Sequence, residues 1–244
     1  MKRFIICALF CAMSLLSTAQ QLRVAVAANA QSVLKKLADD FSQRTRIYPE
    51  IIVSSSGKLA AQIEHGAPYD IFLSADMFYP LRLAQKGLTV GEPEVYALGS
   101  LIICSKMHNI KYWKRELNAS TTVAIANPKL APYGEAAQQY LQQQKLWGRM
   151  NKNLILGESI AQVNTYISRG IVDFAFTTES LIYEGANKQS LSWTRIPKSA
   201  YAPLGQGIVW LKRAKSNVAA EEFYHYLLSD PAKHIFRQYG YQTP

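Results

Sequence analysis

Hydrogen-bond donors recur at four points of the sequence where a predicted strand passes into a predicted helix. These points are marked by Asn29, Ser56, Tyr133 and the pair Ser159 and Ile160. The first turn of a helix carries backbone N–H groups without intrahelical acceptors and the positive end of the helix dipole. Such junctions favour anions, so we predict an anion site where the four points meet.

Motifs typical of hydrolases are absent from the sequence, which contains neither a GxSxG nucleophile elbow nor an HExxH zinc motif. Asp70 and Asp76 are candidates for an acid–base pair, but their positions at a strand-to-helix junction favour structural capping. The histidines are too dispersed for a metal cluster; they are His65, His108, His225 and His234. A secreted hydrolase remains the weaker alternative, and we predict that the chain is not an enzyme.

Strands and amphipathic helices alternate along the chain. Residues 22–28 predict a strand, after which Ala30, Val33, Leu34, Leu37, Ala38 and Phe41 fall at helical spacing. Asn29 is predicted to cap this helix, and Asp76 to cap the helix that ends at Gly87. Further strands are predicted at 51–54, 70–75, 98–105, 122–126, 154–156, 172–176 and 207–211.

This alternation predicts an α/β fold in which mostly parallel sheets are flanked by helices. Ligands of such sheets bind at the carboxyl ends of the strands. Two of the four junctions lie in the first half of the chain and two in the second, which indicates a cleft between two lobes.

The N-terminus has the three parts of a cleavable secretory signal: Lys2 and Arg3, an apolar run over residues 4–16, and a small-residue segment at 17–19. We therefore predict a signal peptide over residues 1–19, export to the periplasm and a mature chain that begins near Gln20. Cys104 is then the single remaining cysteine, and its apolar surroundings predict a buried strand residue.

The formal net charge is +10, and removal of Lys2 and Arg3 with the signal lowers it to +8. This excess attracts anions at long range. Because the basic residues are scattered, without a basic run or interleaved aromatic residues, we predict no nucleic-acid partner.

The junction residues also carry a family resemblance. The stretch SSGKLAAQIEHGAPYDIFLSAD, residues 55–76, resembles the molybdate-binding proteins of ABC transporters. Supporting stretches are AVAAN at 25–29, ANPKLAPYG at 126–134 and GESIAQ at 157–162. The similarity covers nearly all of the chain that follows the signal.

The resemblance implies a two-lobed periplasmic binding protein fold with the ligand in the interlobe cleft. Residues 20–95 and 200–244 would form lobe 1, and residues 96–199 lobe 2, with crossings near 96–99 and 200–205. It further implies a monomer without a cofactor that captures molybdate or tungstate and delivers it to the membrane permease of an ABC importer. Sulfate, which is also a proton-free tetrahedral dianion, stays open as the alternative ligand.

By the same resemblance, the anion is held by neutral donors, and molybdenum or tungsten enters only as its oxyanion, without direct metal-ligand residues. The implied ligand-binding residues are Asn29, Ser56, Tyr133 and Ile160, the last two through backbone N–H groups. Ala28 matches a position at which some relatives carry threonine, and Phe176 one at which others carry a ligand-binding tyrosine. Two charged neighbours are assigned other roles: Lys58 is predicted to be solvated and Glu158 to cap the helix at Ile160.

Overall fold

Two five-stranded sheets, each flanked by helices, form the two lobes of the chain. The computed structural model describes residues 21–117, 120–150, 153–185 and 187–244. The predicted signal peptide at 1–19 lies outside the described residues. Within the described ranges, no helix is long and apolar enough to cross a membrane.

The first sheet has the strand order β2-β1-β3-β10-β4. Its strands are β1 (Arg23–Ala27), β2 (Glu50–Ser54), β3 (Ile71–Leu73), β4 (Thr89–Leu98) and β10 (Gly205–Leu211). The helices packed on it are α1 (Gln31–Thr45), α2 (Ser56–Glu64), α3 (Phe78–Gln85), α9 (Val218–Leu228) and α10 (Asp230–Gln238).

The second sheet has the order β7-β6-β8-β5-β9. Its strands are β5 (Leu101–Ser105), β6 (Val123–Ala126), β7 (Leu154–Gly157), β8 (Phe174–Thr178) and β9 (Ser192–Arg195). Its helices are α4 (Trp113–Glu116), α5 (Pro132–Gln143), α6 (Trp147–Met150), α7 (Ile160–Ser168) and α8 (Asn187–Ser190).

Four of the five strands in each sheet run in the same direction, and the reversed strands are β10 and β5. Both reversed strands directly follow a crossing between the sheets, one through Gly99 and Ser100 and the other through residues 196–204. A chain that crosses the cleft enters the next sheet at its cleft edge and must run away from the cleft. The other strands therefore end at the cleft, as a ligand site requires.

Successive side chains of a strand point to opposite faces of the sheet. Apolar side chains on both faces of the first sheet pack against helices. Val24, Val26 and their neighbours pack with α1, α9 and α10, whereas Ala25 and Phe72 pack with α2 and α3. Cys104 is fully buried in β5, which confirms its predicted place, and burial raises the pKa of its thiol to about 12.

The structure confirms the predicted α/β class with two lobes and corrects several elements. The predicted strand at 98–105 is two strands, since β4 ends at Leu98 and β5 begins at Leu101. Most of β4 and all of β9 were not predicted. The first sheet also continues to Leu98, beyond the predicted start of lobe 2 at residue 96; the exact lobe boundaries stay a prediction.

Two of the predicted caps are wrong. Asn29 lies inside a 3₁₀ turn, Ala28–Ala30, which precedes α1, so its side chain does not cap that helix. Glu158 precedes Ser159, the residue that flanks α7, and its carboxylate pairs with Lys58 instead. Asp76 does accept a hydrogen bond from Tyr79 N in the first turn of α3, at 3.3 Å, as a cap would.

The start of α5 lies unusually close to the end of β6. A Cβ atom at Gly134 would lie 2.1 Å from the carbonyl oxygen of Ala126. Because no real side chain tolerates that distance, only glycine lets the N-terminus of α5 occupy this position, and with it the neighbouring Tyr133.

We expect Gly134→Ala to destabilise the protein by about 1–3 kcal/mol, because α5 must move away from β6 to admit the methyl group. Thermal unfolding of the variant measures the loss. The matched control is Gly148→Ala in α6, where a Cβ atom meets nothing within 4 Å. Equal melting temperatures for the two variants would contradict the packing argument.

Candidate functional site

A small cavity lies between the lobes where the four predicted junctions meet. Its volume is about 10 Å³, which is room for about one water molecule. The first lobe contributes Ala27, Ala28, Asn29, Ser55, Ser56 and Ala75, and the second contributes Ala131, Pro132, Tyr133 and Ile160. The structure therefore brings Asn29, Ser56, Tyr133, Ile160 and Ala28 together, from parts of the sequence more than 100 residues apart.

Helix N-termini face this cavity from both lobes. Ser56 is the first residue of α2, Tyr133 the second of α5 and Ile160 the first of α7. Their N–H groups belong to first turns, in which no intrahelical carbonyl is available as an acceptor. The cavity wall thus combines backbone donors with positive dipole ends and can bind an anion without a cationic side chain.

Two adjacent serines line the cavity and differ in their hydrogen bonding. Ser56 Oγ accepts a hydrogen bond from Ala75 N at 3.0 Å, so its own proton is free to be donated. Ser55 Oγ is buried and has no hydrogen-bond partner among the described residues. A buried hydroxyl without a partner is costly, which marks Ser55 as a second donor for a bound ligand.

Asn29 joins the cavity to buried side chains behind it. Its Nδ2 donates to Gln206 Oε1 at 2.6 Å and to Tyr241 OH at 3.2 Å. Its backbone oxygen accepts hydrogen bonds from Tyr241 OH at 2.8 Å and from Ser180 Oγ at 2.9 Å. Asn29 therefore contacts residues of both lobes.

Gln206, near the start of β10, is the centre of what we call the Gln206 network, with Asn29, Tyr96, Tyr133, Thr178 and Tyr241 as its other members. Gln206 Oε1 also accepts from Tyr96 OH, and Gln206 Nε2 donates to Tyr133 OH, each at 3.2 Å. Thr178 Oγ1 donates to the same Tyr133 hydroxyl at 3.2 Å. Every side chain of the network is buried.

The tyrosines of this network remain protonated at any physiological pH. Burial raises the pKa of Tyr96 and of Tyr133 well above the usual range and that of Tyr241 to about 12. Among the residues that line the cavity there is no carboxylate, lysine, arginine or histidine. The site is therefore built from neutral groups.

Gly99, in the first crossing, lets the network pass close to the backbone. A Cβ atom at this position would lie 2.1 Å from Tyr133 OH and 2.6 Å from Gln206 Nε2. The backbone of the first crossing therefore packs directly against the network, so the crossing is in contact with the residues behind the cavity.

The lobes are closed over the cavity and held by direct contacts. Gly57 N in α2 donates to Leu130 O of the second lobe at 3.0 Å. Lys58 Nζ and a carboxylate oxygen of Glu158 lie 2.6 Å apart across the cleft, and the Lys58 hydrogen bond lowers the pKa of Glu158. Lys58, predicted to be merely solvated, thus pairs with a carboxylate two residues from Ile160.

Phe176 does not line the cavity, although the family resemblance made it a candidate for ligand binding. Its ring is fully buried in the core of the second lobe, against Trp113 and Tyr140 at ring-centroid distances of 5.6 and 5.7 Å. Ala28 does line the cavity, but its methyl side chain has no donor, so it offers only its backbone.

The sequence prediction missed Ser55, Gln206 and Tyr241. Ser55 lies directly beside the predicted Ser56, and the paired serines could have signalled two donors instead of one. Gln206 and Tyr241 contact Asn29 over separations of 177 and 212 residues, and no local pattern marks either of them. Within the described ranges, no three His, Cys, Asp or Glu side chains are grouped to hold a metal ion.

The fold and a cavity of neutral donors between two lobes define a solute-binding protein. The sequence model of the bacterial extracellular solute-binding proteins matches residues 22–242, and this chain belongs to that family. Proteins of this family bind solutes outside the cytoplasm.

Within the family, the sequence is similar to proteins named molybdate-binding protein ModA. It is 33% identical to the one from Azotobacter vinelandii, over 91% of this chain and 90% of that protein. It is 31% identical to the one from Rhodobacter capsulatus, over 97% and 94% of the two chains. These relatives confirm the family predicted from residues 55–76.

The solved structure of the Azotobacter vinelandii periplasmic molybdate-binding protein superposes with a TM-score of 0.86 at 30% identity, over 92% of this chain and all of that one. The sulfate-binding protein SubI from Mycobacterium tuberculosis shares the fold with a TM-score of 0.72, over 91% and 86% of the chains. At 14% identity, this second similarity shows the fold alone.

The ion pair across the cleft gives a prediction about closure. We expect the double variant Lys58→Met with Glu158→Gln to release a bound oxyanion about two to five times faster, since it loses an interlobe contact without a change in net charge. Stopped-flow dissociation at low and high salt measures the rates, and the difference from the unmodified protein should shrink as salt screens the pair.

The control for this experiment is the exposed pair Arg23 and Glu50, whose atoms lie 3.0 Å apart within the first lobe. Replacement of these two residues by methionine and glutamine should leave the release rate unchanged. Equal acceleration by both double variants would contradict a role for the Lys58 and Glu158 pair in closure.

Proposed function

We propose that this chain is a periplasmic binding protein that captures molybdate or tungstate and delivers it to the membrane permease of an ABC importer. The observation that carries the proposal is the meeting of four strand-to-helix junctions at one closed cavity lined by neutral donors. The molybdate-binding relatives support the choice of ligand.

The donor chemistry of the cavity suits a tetrahedral dianion that carries no proton. Each oxygen of molybdate accepts hydrogen bonds and none donates, so a wall of donors satisfies it completely. Hydrogen bonds to a charged group contribute roughly 1.5–3 kcal/mol each. About five to seven of them offset the desolvation of the dianion and still leave micromolar or tighter binding.

The ligand-binding residues in this proposal are Asn29, Ser56, Tyr133 and Ile160, joined by Ser55. Asn29 contributes a neutral amide, the serines donate through their hydroxyls, and Tyr133 and Ile160 donate through backbone N–H groups. The positive net charge of the chain attracts the anion at long range but does not contact it.

The proposed protein performs no chemical conversion and needs no cofactor; molybdenum or tungsten is its cargo, in oxyanion form. It works as a monomer in the periplasm after removal of residues 1–19. Closure of two lobes around the ion would give the permease a surface that differs between the loaded and the empty protein.

Titration calorimetry of the mature, ligand-free protein tests the proposal. We expect tight one-to-one binding of molybdate and tungstate, weak binding of sulfate and no heat with phosphate. Heat with sulfate but none with molybdate or tungstate would support an oxyanion site but would refute molybdate and tungstate as its ligands. Turnover of generic ester or phosphate substrates would instead support a hydrolase.

Replacement of the two serines separates ligand binding from folding. We expect Ser55→Ala and Ser56→Ala each to weaken molybdate binding at least about tenfold, the loss of roughly 1.4 kcal/mol from a charge-assisted hydrogen bond. Ser56→Ala should also lower the melting temperature of the empty protein, because Ala75 N then loses its acceptor. Ser55→Ala should not, because Ser55 Oγ has no partner to lose.

Calorimetry and thermal unfolding of both variants measure the two effects. Unchanged affinity in both variants would show that the oxyanion does not bind at this junction. A large loss of stability in Ser55→Ala would mean that its hydroxyl has a structural role instead.

A further inference from the structure

A larger groove between the lobes lies beside the oxyanion cavity, next to the second crossing. Its volume is about 270 Å³. We call it the α3–α5 groove, because the first lobe contributes residues at the start of α3 and the second lobe contributes α5. Its apolar lining consists of Met77, Phe78, Pro132, Ala136, Pro203 and Leu204. Pro132 also lines the oxyanion cavity, so the two sites share a wall.

The two walls of the α3–α5 groove face each other only while the lobes are closed. One wall belongs to the first lobe and the other to α5 of the second lobe. Helix α5 is fixed to the second crossing, because Gln139 Oε1 accepts a hydrogen bond from Ala202 N at 2.8 Å. A hinge motion that opens the cleft moves the two walls apart. A partner that binds in this groove therefore binds the closed protein.

The rim of the groove carries apolar side chains that are exposed to solvent. Phe78 is 62% exposed, and Leu81, which lies one helical turn further along α3, is 43% exposed. Together with the apolar lining of the groove they form a patch that spans both lobes. Exposed apolar patches mark interaction sites, because burial against a partner removes their apolar surface from water.

Two carboxylates face the groove from opposite lobes. Asp76 and Glu135 line it, and no lysine, arginine or histidine is among the described residues that do so. Burial raises the pKa of Asp76, and the nearby charge of Glu135 raises it further. Arg82 of α3 pairs with Glu64 instead, at 2.7 Å. A basic side chain between the two carboxylates would relieve their repulsion, so the groove suits an apolar segment that carries a lysine or an arginine.

We propose that the α3–α5 groove is a docking surface for the membrane permease, and that it receives an apolar segment of the permease with one basic side chain. This inference rests on the proposed function, in which a permease takes the oxyanion from the closed protein. Only the closed form offers the groove, so docking there favours the loaded protein over the empty one. Because the chain as a whole is positively charged, the two carboxylates also fix where a basic segment can bind.

Two single variants separate docking from ligand binding. Phe78→Ser removes the exposed ring, and Glu135→Lys reverses one charge. We expect each variant to lower molybdate uptake at least about tenfold, in source cells that lack their own copy of the gene and at a molybdate concentration below saturation. In calorimetry, neither purified variant should lose more than about twofold in molybdate affinity, because neither side chain lines the oxyanion cavity.

The matched controls lie on the first lobe, outside the groove. Tyr48→Ser removes an aromatic side chain that is 71% exposed, and Glu222→Lys reverses an exposed charge on α9. Both controls should keep full uptake. Full uptake by the two groove variants, or an equal loss in the controls, would overturn the inference. Absence of molybdate binding in the unmodified protein would refute the proposed function itself, which is a separate outcome.

A second copy of this chain is the other apolar partner that the groove could receive. Sedimentation of the molybdate-loaded protein distinguishes the two occupants, and we expect a monomer. A dimer that Phe78→Ser dissociates would assign the groove to self-association and would refute docking of the permease there.

Discussion

A doubly charged anion that is held out of water needs a hydrogen bond at each of its oxygens, and those bonds must come from several directions at once. A single helix N-terminus supplies donors from one side only. In this chain, four strands of each sheet end at the same cleft, so the first turns of α2, α5 and α7 point at one another across it. The reversed strands β5 and β10 are the consequence, since they carry the chain away from the cleft after each crossing. The common direction of the strands in each sheet therefore brings the donors of the site together.

Neutral donors bring a second requirement, because an amide or a hydroxyl can present either a donor or an acceptor to a ligand, whereas an ammonium group cannot. The orientation of Asn29 must be set by something that does not move with the ligand. The Gln206 network lies at the two crossings between the lobes: Gly99 belongs to one crossing, and Gln206 is the second residue of β10, which follows the other. Close to the crossings, relative displacement of the lobes is smallest. The polarity of the site can thus persist while the donors at the mouth of the cleft separate.

The sequence was sufficient for the class of fold and for the meeting of the four junctions at one cavity, because both depend on local patterns. Buried strands followed by helical spacing locate Asn29, Ser56, Tyr133 and Ile160, and strand direction brings them together. The edge strand β4 was missed because its exposed glycine and glutamates, together with its proline, resemble a loop. Gln206 could not have been recognised, since its role depends on a contact with Asn29 across 177 residues. Position in a family pattern likewise could not show that the Phe176 ring turns into the core.

The unpartnered atoms in the cavity make closure depend on the ligand. Direct contacts between the lobes include the backbone hydrogen bond from Gly57, the exposed pair of Lys58 and Glu158, and buried hydrogen bonds at Asn29 and Gln206. The exposed pair stabilises little. Against them stands the cost of Ser55 Oγ, which is buried without a hydrogen-bond partner among the described residues. In the open protein, water satisfies this hydroxyl; in the closed and loaded protein, the oxyanion does. Because the ion receives donors from both lobes, its binding free energy enters the closed state alone and shifts the equilibrium towards it. A hydrogen-bond partner for Ser55 Oγ inside the empty cavity would stabilise the closed state without ligand, so its absence helps closure to report occupancy.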